Sequence, residues 1–292
     1  MPDSEADAAF LAGAALGRLD AIVRANPPWS GVFRRRLALA AATAGVSSNG
    51  RSDDEAVLRD AFHLTRPGAD PGPAGRHGLA WRALTANSAG QWRSAMRLAA
   101  EHLQVRNEEV LREAFDGAES CIAGSGSAPF AAARAREGAL SVATSAERRG
   151  AEAEILAAAL ADCVLAQKLN WPFVLPLLAE PLLSRATRRA AGTAGSETTR
   201  VLLGYARAAE RACDLAAELE RRSEGLVEAL PKLRAKGAGA ALAALLDEDS
   251  LSVASKISGL SERGARRLFD RLEGLGVIRE LTGRATFRFY GL

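Results

Sequence analysis

Along most of the chain, apolar residues recur at three- and four-residue spacing, the pattern of amphipathic helices that share a core. Residues 7–25 place Phe10, Leu11, Ala14, Ala15, Leu19 and Ile22 on one predicted stripe, and Asn26-Pro27-Pro28 ends it. A second helix is predicted from about Gly31 to Ala44, with Arg34, Arg35 and Arg36 near its start. Ser52-Asp53-Asp54-Glu55 reads as a capping-box-like start for a third, carrying Val57, Leu58, Ala61 and Phe62. Further helices are predicted at 79–86, 89–103, 107–115, 129–143 and 147–169, with Gly- and Ser-rich breaks near 116–128. Another is expected to start at Asn170-Trp171-Pro172 and to end before a linker at Gly192–Gly195. Residues 65–78 interrupt the pattern with three prolines and four glycines, a composition that predicts no regular element there.

Ser196 has the position of an N-cap for the longest helix, which runs to about Leu230. At 1.5 Å per residue it makes a rod of about 50 Å. Val201, Tyr205, Ala208, Ala212, Leu215, Leu219 and Leu226 keep a spacing near 3.5 along it. Two readings fit that stripe: a strut packed along a helical domain, or a homodimer seam through residues 196–230. Pro231 to Gly239 then reads as a hinge, dividing a helical domain (1–230) from a C-terminal domain (231–292).

The C-terminal sixty residues change rhythm. Gly239 to Asp247 is apolar at helical spacing, Val253 to Ile257 suggests a short helix, and Ser258-Gly259 a turn. Ser261 then precedes a basic amphipathic helix from Glu262 to Leu272. Two strand-like runs follow, Val277 to Leu281 and Thr286 to Tyr290, joined through Thr282-Gly283-Arg284. This order is that of a winged helix-turn-helix. The expected fold is therefore mainly α, an N-terminal bundle-like domain followed by a winged helix-turn-helix with a short β-hairpin.

Charge supports a double-stranded DNA partner for that ending. The 292-residue chain carries a net charge of only +3, and just four of its 38 basic residues are lysine. Arginine abundance of this kind also follows from base composition of a genome, so position is more informative than number. From Lys232 onward there are 11 basic and 7 acidic residues, a net of +4. Arg263, Arg266, Arg267 and Arg271 fall at i, i+3, i+4 and i+8, and Ala265, Leu268, Phe269 and Leu272 fall on the opposite side. Arginine pairs bidentately with guanine in the major groove and also binds phosphate. Lys256 and Ser261 are placed to touch the DNA backbone, and Arg284 and Arg288 lie on or beside the wing. The bland alternative is a winged helix used for protein contacts, its arginines solvated or paired with Glu262, Asp270 and Glu273.

Catalytic signals are weak. His63, His77 and His102 lack metal-site spacing, and HExxH, GxSxG, Walker and dinucleotide motifs are absent, so neither enzyme activity nor a cofactor or metal is expected. Helix capping accounts for Asp53-Asp54-Glu55 better than a metal cluster does. Arg66, Asp70, Arg76 and His77 form either a polar pocket or, more simply, local salt bridges around a turn. Cys121, Cys163 and Cys213 are too separated for a disulfide framework. Trp29, Trp81, Trp92 and Trp171 read as core or loop-anchoring aromatics. An acidic N-terminus unlike a secretory signal, and the lack of any apolar run of about 20 residues, predict no membrane span and a cytoplasmic protein.

Asn26-Pro27-Pro28-Trp29, Arg51 to Leu58, Arg66 to Arg76, Trp171-Pro172-Phe173, Leu233 to Gly239, Ala265 to Leu272 and Arg279 to Arg284 together resemble segments of a bacterial family, domain of unknown function 1403. The ending also resembles a winged helix module of rhizobial plasmid proteins and of some Fic-type proteins. The HPFxxGNGR-like Fic motif is absent, so transferase activity does not follow. The resemblance implies a regulatory role on plasmids or other mobile elements. The expectation is a DNA-binding regulator; the alternative is an adaptor that binds a partner protein through its helical domain.

Overall fold

The computed structural model describes residues 4–51, 53–66, 68–146, 150–184, 196–233 and 237–292. Ser52, the 147–149 start of one expected helix, the Gly192–Gly195 linker and the middle of the 231–239 hinge lie outside them. Among the described residues there are twelve α-helices and one three-stranded antiparallel sheet, so the chain is mainly α. Contacts divide it into two compact units, Met1–Ala25 with Leu37–Cys213, and Asn26–Arg36 with Asp214–Leu292. None of the described helices is long and apolar enough to cross a membrane.

The first unit contains α1 (Glu5–Ala25), most of α2 (Ser30–Ser48), α3 (Glu55–Leu64), α4 (Gly72–Ala86) and α5 (Trp92–His102). It continues with α6 (Glu108–Ala123), α7 (Ala128–Ser145), α8 (Ala151–Lys168), α9 (Ala179–Leu183) and the first half of α10 (Glu197–Ala229). Its centre is α8, in which every residue from Ile155 to Ala166 is buried. A helix that is apolar on all sides has no face to give to water and is stable only in the interior. Alanines at 131, 132, 133 and 135 on α7 are buried too, and their small side chains suit close helix packing. Trp81, Trp92 and Trp171 are buried in this unit, as their core assignment requires.

Several local expectations are corrected. The Pro/Gly stretch 65–78 is not irregular throughout, because α4 starts inside it at Gly72. Asp70 accepts the Gly72 amide at 2.9 Å, and Pro73 sits in the first turn, where a missing N–H costs nothing. Gly78 belongs to the helix for a packing reason: a Cβ there would lie 2.1 Å from the Phe62 ring. The break expected near 116–128 is confined to Gly124–Ser127. Asn107 caps α6 by accepting from the Val110 amide at 3.2 Å, and the helix continues to Ala123 across Gly117. On α1 the buried face is Ala8, Ala12, Ala15, Leu16, Leu19 and Val23, while Phe10, Leu11 and Ala14 are exposed.

The segment after Trp171 is not a helix start. Apart from the exposed Pro172, residues 171–178 run buried and mostly without regular structure, meeting the chain at Ser88↔Phe173, and the short α9 begins only at Ala179. Pro172 and Pro176 remove the amides a helix needs. The extended backbone leaves buried donors to satisfy, and Asp162 on α8 accepts from the amides of Leu177 (2.9 Å) and Leu178 (3.2 Å).

The long helix α10 starts as expected, with Ser196 Oγ accepting the Thr199 amide at 3.1 Å. Beside it, the buried Arg136 is ion-paired with both Glu154 and Glu197, tying α7, α8 and the first turn of α10 together. Along α10, Val201, Tyr205, Ala208, Ala212, Leu219 and Leu226 are buried within the chain and Leu215 is half-buried. Of the two readings of this stripe, strut or homodimer seam, burial within the chain agrees with the strut.

The second unit holds the start of α2, the rest of α10, α11 (Ala238–Asp247), β1 (Leu251–Ser252), α12 (Glu262–Gly274), β2 (Arg279–Glu280) and β3 (Phe289–Gly291). The sheet order is β1-β3-β2, with Leu251 opposite Tyr290 and Glu280 opposite Tyr290 on its other edge. Its core gathers Ala241, Leu245, Leu251, Ile257, Ala265, Leu268, Phe269, Leu272, Ile278 and Phe289, with the Phe269 and Tyr290 rings 5.0 Å apart. The short helix expected at Val253–Ile257 is not formed. The chain instead makes β1 and a turn closed by the Ser255 amide on the Ser252 carbonyl at 3.0 Å. Pairing of Leu251 and Ser252 with β3 holds the backbone extended just where a helix would have to begin.

Residues 26–36 are integral to this unit. Arg36 reaches Asp249 at 2.6 Å and donates to the Leu292 carbonyl at 2.9 Å, and Arg35 lies 3.6 Å from Glu248. Gly31 lets α2 approach α11 closely, since a Cβ there would sit 2.2 Å from Asp247 Oδ1. Trp29 and Phe33 are buried edge to face, centroids 5.8 Å apart.

Candidate nucleic-acid interface

The basic helix α12 is built by local chemistry that its sequence carries openly. Ser261 Oγ accepts the Gly264 amide at 3.2 Å, fixing the start of the helix. From there Ala265, Leu268, Phe269 and Leu272 face the core. Arg263, Arg266, Arg267 and Arg271 all project into solvent. Asp270 is spaced to meet Arg266 at i+4, and Glu262 and Glu273 are nearby in sequence. Even so, none of the four arginines has an ion-pair partner among the described residues. Four unneutralised guanidinium groups on one helix form a donor array suited to phosphate oxygens and guanine edges.

The other expected contacts divide. Lys256 is exposed in the segment between β1 and α12, and Ser261 is exposed although its oxygen is engaged as the cap. Arg288 is exposed and donates through Nε to the Arg284 carbonyl at 3.0 Å. The neighbouring Tyr290 hydroxyl pushes the Arg288 pKa further up. Arg284 is half-buried and serves the hairpin itself: its guanidinium lies over the Phe289 ring at 5.6 Å and reaches the Phe287 carbonyl at 3.4 Å. Arg279, beside the hairpin, lies 3.4 Å from Glu218.

Sequence patterning passed over two parts of this region. Glu280 organises the turn after β2, accepting from the amides of Thr282 (2.7 Å) and Gly283 (2.6 Å) and from the Thr282 hydroxyl. Burial pushes its carboxyl up, but these donors outweigh burial and leave its pKa lowered. Phe287 is the second. Alternation along Thr286 to Tyr290 would put Phe287 on the same face as buried Phe289. Instead Phe287 has φ +55 and is 70% exposed. A left-handed residue breaks the pleat, so β3 begins only at Phe289. Glu280-x-Thr282-Gly283 was the legible signal for the turn; nothing local announced the reversal at Phe287.

Among the described residues, the first unit offers no comparable array. Around the Pro/Gly stretch, Arg76 pairs with Asp70 at 2.8 Å, Arg66 is exposed, and His77 is turned into the core beside Asn49 (3.2 Å). Burial pushes the His77 pKa down and keeps the ring neutral. Asp54 caps α3 by accepting from the Val57 amide at 3.1 Å, and Asp53 pairs with Arg51 at 2.6 Å, so both acids have structural duties. A groove of about 850 Å³ opens between α5, α6, α7 and α8, with Met96, Leu111, Phe115 and Leu156 among its apolar walls and Arg106 and Glu152 among its polar ones.

A family model described as a protein of unknown function (DUF1403) matches residues 1–292. The chain belongs to the DUF1403 family. No curated protein matches it.

Proposed function

We propose that this DUF1403 protein is a double-stranded DNA-binding regulator, and that its second unit reads DNA as a winged helix. The element order α11–β1–α12–β2–β3 and the sheet order β1-β3-β2 support that reading. Turns between β1 and α12 stand where a middle helix would be. In this scheme α12 is the recognition helix and the β2–β3 hairpin is the wing. The observation that carries the proposal is the unpaired, exposed set Arg263, Arg266, Arg267 and Arg271 opposite a wholly buried apolar face. Lys256 and Arg288 add backbone contacts beside it. The regulated genes belong to a plasmid or mobile element, as the resemblance to rhizobial plasmid proteins implies, and the protein acts in the cytoplasm without a catalytic step.

The test is retention of duplex fragments from the gene's own neighbourhood by the full chain over a salt series. Affinity should fall steeply with salt as counterions are released, and Arg266→Ala/Arg267→Ala should weaken binding and lower the slope by about one per lost phosphate contact. Unchanged affinity in the double variant would remove α12 from the interface. A second reading, an adaptor for a partner protein, is favoured by the apolar groove of the first unit. Co-purification of a stoichiometric protein, lost on Leu156→Asp, would support it.

A further inference from the structure

The tip of the β2–β3 hairpin combines three observations that the DNA-binding reading does not itself explain. Phe287 holds its backbone at φ +55, a region that bulky L-residues rarely enter. Its ring is 70% exposed, the one large apolar side chain between Thr282 and Arg288. The surrounding turn is braced, by Glu280 under Thr282 and Gly283, by Arg284 on the Phe287 carbonyl, and by Arg288 on the Arg284 carbonyl. A disfavoured conformation kept by a braced turn that leaves an aromatic ring facing outward points to a use for that ring.

We propose that Phe287 is a wedge that enters a DNA base step from the minor groove and unstacks it, kinking the duplex. This rests on the DNA-binding reading above. Two features favour a base step over a protein surface. Protein-docking surfaces are commonly marked by contiguous apolar patches of about several hundred Å², and the hairpin tip offers a single ring. A base step is a narrow apolar slot bordered by phosphates, and the ring has the matching neighbour in the exposed, cationic Arg288. Insertion of an apolar side chain between base pairs is rewarded when the resulting bend brings more protein surface onto the backbone. Pyrimidine–purine steps unstack most readily, so the wedge is expected to select TA or CA/TG steps.

The experiment uses the full chain and short duplexes it retains from a random-sequence pool, with 2-aminopurine placed in turn at each step. The native chain should raise 2-aminopurine emission at one step. Phe287→Ala should abolish that rise while affinity changes by less than about tenfold, and Phe287→Leu should restore much of it, because the wedge is apolar rather than specifically aromatic. Unaltered thermal melting of the alanine variant shows that the hairpin is intact. Native chain that binds with no emission rise, or an alanine variant that keeps the rise, overturns the wedge and leaves α12 as the reader. Failure of the native chain to retain any duplex at low salt overturns both, and sensitivity of retention to Arg266→Ala/Arg267→Ala separates the two cases.

Discussion

The two units of this chain use arginine differently. In the helical unit many arginines serve as partners for carboxylates: Arg136 between Glu154 and Glu197, Arg93 between Asp116 (3.0 Å) and Glu119 (2.6 Å), Arg76 with Asp70. Unpaired ones there, such as Arg18, Arg97 and Arg207, belong to three different helices. On α12, four stand within nine residues on one helix, unpaired among the described residues although acids are available at helical spacing. The number of arginines therefore says little about function in so arginine-rich a chain. Clustering without neutralisation says more, because an array of uncompensated charge has a cost in self-repulsion that a merely structural surface does not need to bear.

The largest effect that sharpens this comparison is expected at a structural arginine. Arg36→Ala strips the buried Asp249 of its ion pair and should destabilise the second unit by about 3 kcal/mol. Denaturant melting followed by Trp29 fluorescence in a chain with Trp81, Trp92 and Trp171 replaced by Phe would read it, and a loss no larger than that for an exposed arginine would refute a structural role for the Arg36–Asp249 pair. Next in size is the reverse pattern on α12. Arg266→Ala/Arg267→Ala should leave the melting curve where it is and reduce duplex affinity by about tenfold or more. Were stability to fall instead, those arginines would belong with the structural ones.

A smaller effect tests how the helical unit tolerates charge. Burial pushes the Asp162 carboxyl well above its ordinary value of 3.8, although the Leu177 and Leu178 amides pull it down. The native chain then holds a proton that the unfolded chain releases, so stability is greatest below about pH 4 for this group and falls as pH rises through the raised native value. Asp162→Asn should flatten that slope; equal slopes in both chains would show that the site is not protonated in the native state. The smallest is Phe287→Gly, which relieves a left-handed backbone and should stabilise the hairpin by roughly 0.5–1 kcal/mol. A destabilised glycine variant would mean that the ring packs in the free protein and is not held out for a ligand.

Much of α12 was legible beforehand because its signals are local: a serine cap, apolar residues at i, i+3 and i+4, basic residues between them. The Ser196 cap and the length of α10 were legible for the same reason. The Pro/Gly stretch differs from its composition because Pro73 fits a first helical turn and Gly78 is needed for closeness to Phe62. The segment after Trp171 misled because burial gave it an apolar composition without helical hydrogen bonding. Val253–Ile257 has helical residues but is held in turns by the strand that precedes it.

The sequence by itself determined the mainly helical class, the caps and two-sided character of α12, and the family. Only the tertiary structure decided that Asn26–Arg36 belongs with the C-terminal elements, since the ion pair of Arg36 with Asp249 joins residues more than two hundred positions apart. It alone decided that the α10 stripe is covered within the chain, and that Phe287 faces outward rather than beside Phe289. Helix capping and periodicity act within a few residues and can be read along the chain. Which partner neutralises a charge or covers an apolar face depends on what folding brings alongside it.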